Sequence, residues 1–220
     1  MREGPSVVIL GSGLGDVSGS GTPRACEISQ GLLLELSGSA ALDPLTVTLL
    51  DDAALLHRIK YGSERNTARA VLRLFRGRQP AAALEHLTEF LASLPPEELK
   101  RGERVRLLIS LNLDLHLERC LLKRGVPFTR IVQDSSGSKV WLGEFADVRL
   151  SKDTLEIGPR GKHATLPLND DNAIEAEIKS GSHELLDLTK TPLFLDNRTH
   201  PIVYKIFGDI DVPDSCVLSA

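Results

Sequence analysis

The chain has 220 residues, 26 Lys plus Arg against 30 Asp plus Glu, a net charge of −4 and 41% hydrophobic residues. This is globular composition. It has no run of roughly 18 uncharged apolar residues to span a bilayer, no N-terminal apolar run long enough for a secretory signal, and no overall positive charge to draw nucleic acid. Cys26, Cys120 and Cys216 are far apart, with no CxxC pair for a four-cysteine zinc site, and scattered thiols suit a reducing cytoplasm.

In chain order, Val7 to Leu10 is a short apolar run bounded by Pro5 and Gly11, which predicts a buried strand. The following GSGLGDVSGSGTP is too rich in Gly and Ser for regular structure and is a loop. CEISQGLLLEL predicts a helix with Ile28, Leu32 and Leu36 on one face. Residues 63–95 predict two helices. The first has Ala68, Val71, Leu72 and Phe75 as its apolar stripe, Arg65, Arg69, Arg73 and Arg76 opposite, and Gly77 as its stop. The basic stripe suits a solvated face, or phosphates, nucleic acid or an acidic partner. The second opens at Pro80, packs through Leu84, Leu87, Phe90, Leu91 and Leu94, and ends at Pro95-Pro96.

RVRLLISLNLD predicts a strand covered on both faces, with Val105, Leu107, Leu108 and Ile109 as its apolar run. LHLERCLLKRG predicts a helix with Leu117, Leu121 and Leu122 inward and Gly125 at its C-terminus, and Phe128 to Val132 a second strand. Together they form a strand–helix–strand unit. Residues 134–199 predict an insertion of β-hairpin character with Trp141 in its core; NDDNAIEAEIKSGS within it suits a surface loop or a frayed helix. Ile202 to Gly208 returns to buried-strand composition, DIDVPDS predicts a turn, and CVLSA begins a last strand, so the chain is expected to be part of a longer polypeptide.

Three stretches carry candidate chemistry. Gly11, Ser12, Gly13 and Gly15 form a glycine-rich loop between strand and helix, where backbone N–H groups approach a pyrophosphate. Asp16 stands where a third glycine of GxGxxG would be, and a flexible surface loop is the plain alternative. Asn112 and Asp114 stand at the carboxyl end of a predicted parallel strand, where open α/β sheets bind ligands, although a turn residue and a helix cap account for them equally well. Phe207-Gly208 ends another such strand.

Taken together, GSGLGDVSGSGTP, SLNLDLHLERCLLKRGVPF and YKIFGDIDVPDS resemble the sirtuin-like family, in its zinc-free bacterial branch. Those proteins pair a GAG-type loop with a T-N-Y-D motif opening a helix L-L-E-R-A-L, and have a later strand ending K-L-H-G. The matching positions in the central stretch include Ser110, Asn112, Asp114, Leu117, Glu118, Arg119, Gly125 and Pro127. The resemblance implies a Rossmann-like α/β domain over 1–220 that binds nicotinamide adenine dinucleotide (NAD). Gly11, Ser12, Gly13 and Gly15 would meet the dinucleotide, and Asn112 and Asp114 would line the nicotinamide–ribose pocket. Branch members in antiphage defence cleave NAD to nicotinamide and ADP-ribose. Their domains usually belong to larger effectors that form homo-oligomers or join partner proteins. Without zinc ligands, deacylation loses its usual support, and water is the expected acceptor.

The general-base histidine of the family would stand where this chain has Phe207. Losing a positioned base typically costs about 10²- to 10⁴-fold in rate. The implied function is therefore an NAD hydrolase with a substituted base, or a catalytically dead module that binds NAD or ADP-ribose or serves as a scaffold. His116, His163, His183 and His200 are the candidate substitutes, with His116 expected on the helix surface. Leu113 replaces the motif tyrosine and Gly15 a serine, which weakens polar contacts to the dinucleotide. An ordinary dehydrogenase-type domain lacks the expected acidic residue about 20 residues past the loop.

Overall fold

The computed structural model describes residues 6–11, 23, 25–38, 50–75, 78–95, 97, 105–134, 136–158, 164–181, 184–190, 200–206, 208–209 and 215. Their elements run β1 (Ser6–Leu10), α1 (Ala25–Ser37), α2 (Leu50–Tyr61), α3 (Glu64–Phe75), α4 (Ala82–Ser93), β2 (Val105–Ser110), α5 (His116–Lys123), β3 (Phe128–Gln133), β4 (Lys139–Phe145), β5 (Asp147–Leu150), β6 (Thr154–Gly158), β7 (Ala164–Pro167), α6 (Asp171–Ser180), β8 (Glu184–Asp187) and β9 (Ile202–Lys205).

A six-stranded mixed sheet in the order β1-β2-β9-β3-β4-β8 forms the centre, with β5-β6-β7 as a separate three-stranded sheet. The first four strands are mutually parallel and the last two antiparallel. With its helices, this makes an α/β fold. The chain leaves β2, passes through α5 and returns as β3, leaving a gap that β9 fills from 97 residues beyond β2's first residue (Ile202 against Val105). Residues 134–199 are richer than a hairpin. They lend β4 and β8 to the main sheet, build the small sheet, and include a true helix, α6, capped by the Asp170 side chain accepting from the Ala173 N–H.

Strand side chains alternate between faces. Leu10, Leu108, Val203 and Phe128 face one layer, where they join Leu84 and Leu91 of α4, Leu117, Leu121 and Leu122 of α5, and Ile174 and Ile178 of α6 in one core. Helices α1, α2 and α3 hold a second core through Ile28, Leu32, Ala53, Ala54, Ala68, Val71 and Phe75, reached from the sheet by Leu113. Ile131, Val140, Leu142 and Ile202 form a third cluster on the opposite sheet face.

Several expectations need correction. Val7 and Ile9 are 55% and 65% exposed, because β1 is the terminal strand and only its Val8/Leu10 side meets the core. In β2, Leu108 is buried but Leu107 and Ile109 are only half-buried. Phe90 is 45% exposed. It lies about 100° round the helix from Leu91, off the stripe that Leu84, Leu87 and Leu91 define, and buried Thr88 takes a place in that stripe. Pro80 precedes α4 rather than opening it, with Ala81 at the N-cap. Helix α2 is an element that the sequence-based expectations do not contain. Gly77, Arg76, the Leu72 side chain and the predicted strand 216–220 lie outside the described residues. Among the described residues no helix is long and apolar enough to cross a membrane.

Candidate functional site

Three parallel strands end level with one another. Leu10, Ser110 and Lys205 occupy one row across β1, β2 and β9. Past that row the Leu111 N–H donates to the Leu10 carbonyl at 2.8 Å and the Ile206 N–H to the Ser110 carbonyl at 3.3 Å. Gly11 thus follows β1 directly, Asn112 stands two residues past the end of β2, and Gly208 three past the end of β9. Among the described residues, a Cβ built at Gly11 would meet Leu111 Cδ1, at 3.9 Å, an ordinary contact. Ser12, Gly13, Gly15 and Phe207 lie outside the described residues.

Asn112 is 5% exposed; Ser110 Oγ accepts its backbone N–H at 3.3 Å, and its side-chain Oδ1 has no hydrogen-bond partner. Asp114, also buried, uses Oδ1 to accept the His116 N–H at 2.9 Å. It thus caps α5 from two residues upstream of its first helical residue. The helix's own N-cap, Leu115, has no side-chain oxygen. His116 is 3% exposed, not on the surface as its position in the first turn suggested. Residues 116–122 of α5 are buried all round, because the helix is held between α4, α6 and the sheet. Its ring Nδ1 stands 3.8 Å from Asp114 Oδ1, beyond hydrogen-bonding distance, and has no hydrogen-bond partner. A buried polar atom left unpaired costs about 1–3 kcal/mol. Asn112 Oδ1 and His116 Nδ1 carry that cost at one strand end.

Beneath this end lies a buried charge network outside the sequence-based expectations. Arg130 and Val203 are paired across β3 and β9, and Lys205 lies one pleat further on the same face. Both cations rise toward Glu118 of α5. Arg130 Nε donates to Glu118 Oε1 at 3.1 Å, and its Nη2 to Asp209 Oδ2. Lys205 Nζ is 2.7 Å from Asp209 Oδ2 and 3.4 Å from Glu118 Oε1, and donates to the Asp114 carbonyl. Burial alone would lower both cations' pKa values, but the Asp209 and Glu118 carboxylates outweigh it and hold both above their ordinary values. Two cations and two carboxylates thus fix the Asn112–Asp114 turn and the β9 end against each other. The legible signal was a charge interrupting each apolar strand, FTRIV and IVYKIFG.

Gly208 has φ +82°, and a Cβ there would sit 2.0 Å from the Ser215 carbonyl oxygen. Only glycine fits this turn. Ser215 Oγ accepts the Asp209 N–H at 2.8 Å and closes it.

No family model, curated protein or solved structure matches this chain.

Other candidates fall away from this end. His200 is half-buried just before β9, at the amino end of that strand; His163 and His183 lie outside the described residues. Cys120 is buried, and desolvation pushes its thiol up to about 11, away from the thiolate form. Arg65, Arg69 and Arg73 do form an exposed face of α3, but the Arg73 guanidinium Nη2 is held by both Glu35 oxygens, at 2.5 and 2.6 Å. A shallow cavity lined by Lys123, Lys152, Asp153, Leu168 and Asn169 lies at the other end of α5, with Lys123 ion-paired to Asp171. Among the described residues no group of three or more His, Cys, Asp or Glu side chains is placed to hold a metal.

Proposed function

We propose that this chain is a sirtuin-like, Rossmann-like NAD-binding domain of a bacterial antiphage effector, and that it cleaves NAD to nicotinamide and ADP-ribose. One observation carries the reading: Gly11, Asn112 and Gly208, each from a different motif of the resemblance, follow level ends of adjacent parallel strands. Ligands of open α/β sheets bind outside such carboxyl ends. The unpartnered, buried Asn112 Oδ1 supports a ligand there. Backbone N–H groups of the glycine loop would hold the pyrophosphate, and the whole chain would be one domain of a larger homo-oligomeric or partnered assembly in the cytoplasm.

A second reading rests on Phe207, which cannot accept a proton: a catalytically dead module that binds NAD or ADP-ribose, or only assembles a complex. Purified protein titrated with millimolar NAD in a calorimeter, then assayed for nicotinamide and ADP-ribose by chromatography, separates the readings. Heat with product release supports the hydrolase, and heat without release supports the dead module. No heat and no thermal shift would remove NAD from both.

A further inference from the structure

Among the described residues, one histidine belongs to the carboxyl end of β2. His116 opens α5, is 3% exposed, and its ring Nδ1 makes no hydrogen bond although Asp114 Oδ1 is 3.8 Å away. Four positions upstream, Asn112 Oδ1 is also buried without a partner. Buried polar groups are nearly always paired, so these two orphans, followed along α5 by Glu118 Oε2 and Arg119 Nη2, call for an explanation. The turn is not loose: Lys205 Nζ holds the Asp114 carbonyl, and Asp114 holds the His116 N–H. Rigid scaffolding thus holds two unsatisfied side chains four residues apart at one strand end, which is how a preorganised polar site is built.

We propose that His116, oriented by Asp114, is the general base of this site and fills the role that Phe207 cannot. The inference rests on the NAD reading above. In the step, the bond between the nicotinamide nitrogen and ribose C1′ breaks, and its electron pair leaves with neutral nicotinamide. A water oxygen bonds to C1′, and that water's proton passes to the imidazole. The products are nicotinamide, ADP-ribose and one proton, with no change of oxidation state. Asp114 stabilises the imidazolium and fixes the tautomer, as a carboxylate does for histidine in other hydrolases. The 3.8 Å gap closes in the complex, since such contacts are commonly long before substrate binds.

The test uses the full chain with NAD, following nicotinamide release by chromatography and binding by calorimetry. His116→Gln keeps a hydrogen-bonding side chain but cannot carry the proton. It is expected to bind NAD within about threefold of wild type and to lose about 10²- to 10⁴-fold in release. His116→Gly is expected to regain release when imidazole is added, which a purely structural role for the ring does not explain. Should His116→Gln fail to fold by circular dichroism, His116→Asn and the imidazole arm decide. A folded variant cleaving within tenfold of wild type, or no imidazole rescue, overturns the proposal. A hundredfold gain from Phe207→His also overturns it. Wild type that binds NAD and releases nothing overturns the base but spares the NAD-binding reading. Wild type that does not bind NAD overturns that reading itself.

Discussion

Arg130 is the residue on which the site's geometry turns. It is 1% exposed and touches carboxylates from two directions, Glu118 on α5 and Asp209 past β9. Removing one partner of a buried ion pair leaves an uncompensated charge, which costs about 3–5 kcal/mol. Arg130→Met is therefore expected to lower unfolding free energy by about that amount in urea titration. The double variant Arg130→Met/Asp209→Leu should lose less than the sum of the two single changes, because the second removes the charge that the first strands. Additive losses would show that the two side chains do not share a network.

At the scale of elements, α5 shows how local sequence sets an end. Arg124 is its C-cap and Gly125 follows with φ +70°; the Gly125 N–H donates to the Leu122 carbonyl and the Val126 N–H to that of Leu121, both at 2.9 Å. This is a Schellman motif, with Val126 and Leu121 buried in the same core. Gly125→Ala must place a Cβ in a left-handed conformation, 3.1 Å from Leu150 Cδ1. The expected loss is about 1–2 kcal/mol in thermal or urea unfolding, with the helix retained by far-ultraviolet circular dichroism. A neutral change would mean that the αL turn is not populated. Helix α2 is the converse case. Its buried residues include Ala53 and Ala54, while Leu55, Leu56 and Ile59 are exposed, so large apolar residues do not trace its inner face.

Across the whole molecule, the helical layer of α1, α2 and α3 carries its own ionisable group. His57 is buried, with Nδ1 3.0 Å from Thr67 Oγ1 and Nε2 3.8 Å from Glu35 Oε1. Burial lowers its pKa below 6.5, outweighing the pull of the Glu35 carboxylate. The unfolded chain then binds more protons than the native one between the lowered value and 6.5. Stability rises with pH across that window, is complete above it, and is lost as pH falls through it. His57→Asn keeps a donor near Thr67 and cannot titrate. Thermal melts between about pH 5 and 7.5, bracketing the free imidazole value, should show wild type losing stability on acidification where the variant loses less. Parallel curves would exclude His57 as the source.

How much could be read in advance follows from which interactions are local. Apolar runs of β-branched and leucine residues specified β2, β3 and β9, and helical periodicity with Gly125 specified α1, α3 and α5. The positions Gly11, Asn112, Asp114 and Gly208 were legible because turns after strands need particular residue types. Tertiary structure alone decided that β9 enters between β2 and β3, since strand order depends on partners far away in the chain. The same crossing brings Lys205 and Asp209 against Arg130 and Glu118. It also decided that His116 is buried: helix period places a first-turn residue on a face, but only the packing of α4, α6 and the sheet around α5 determines whether that face meets water.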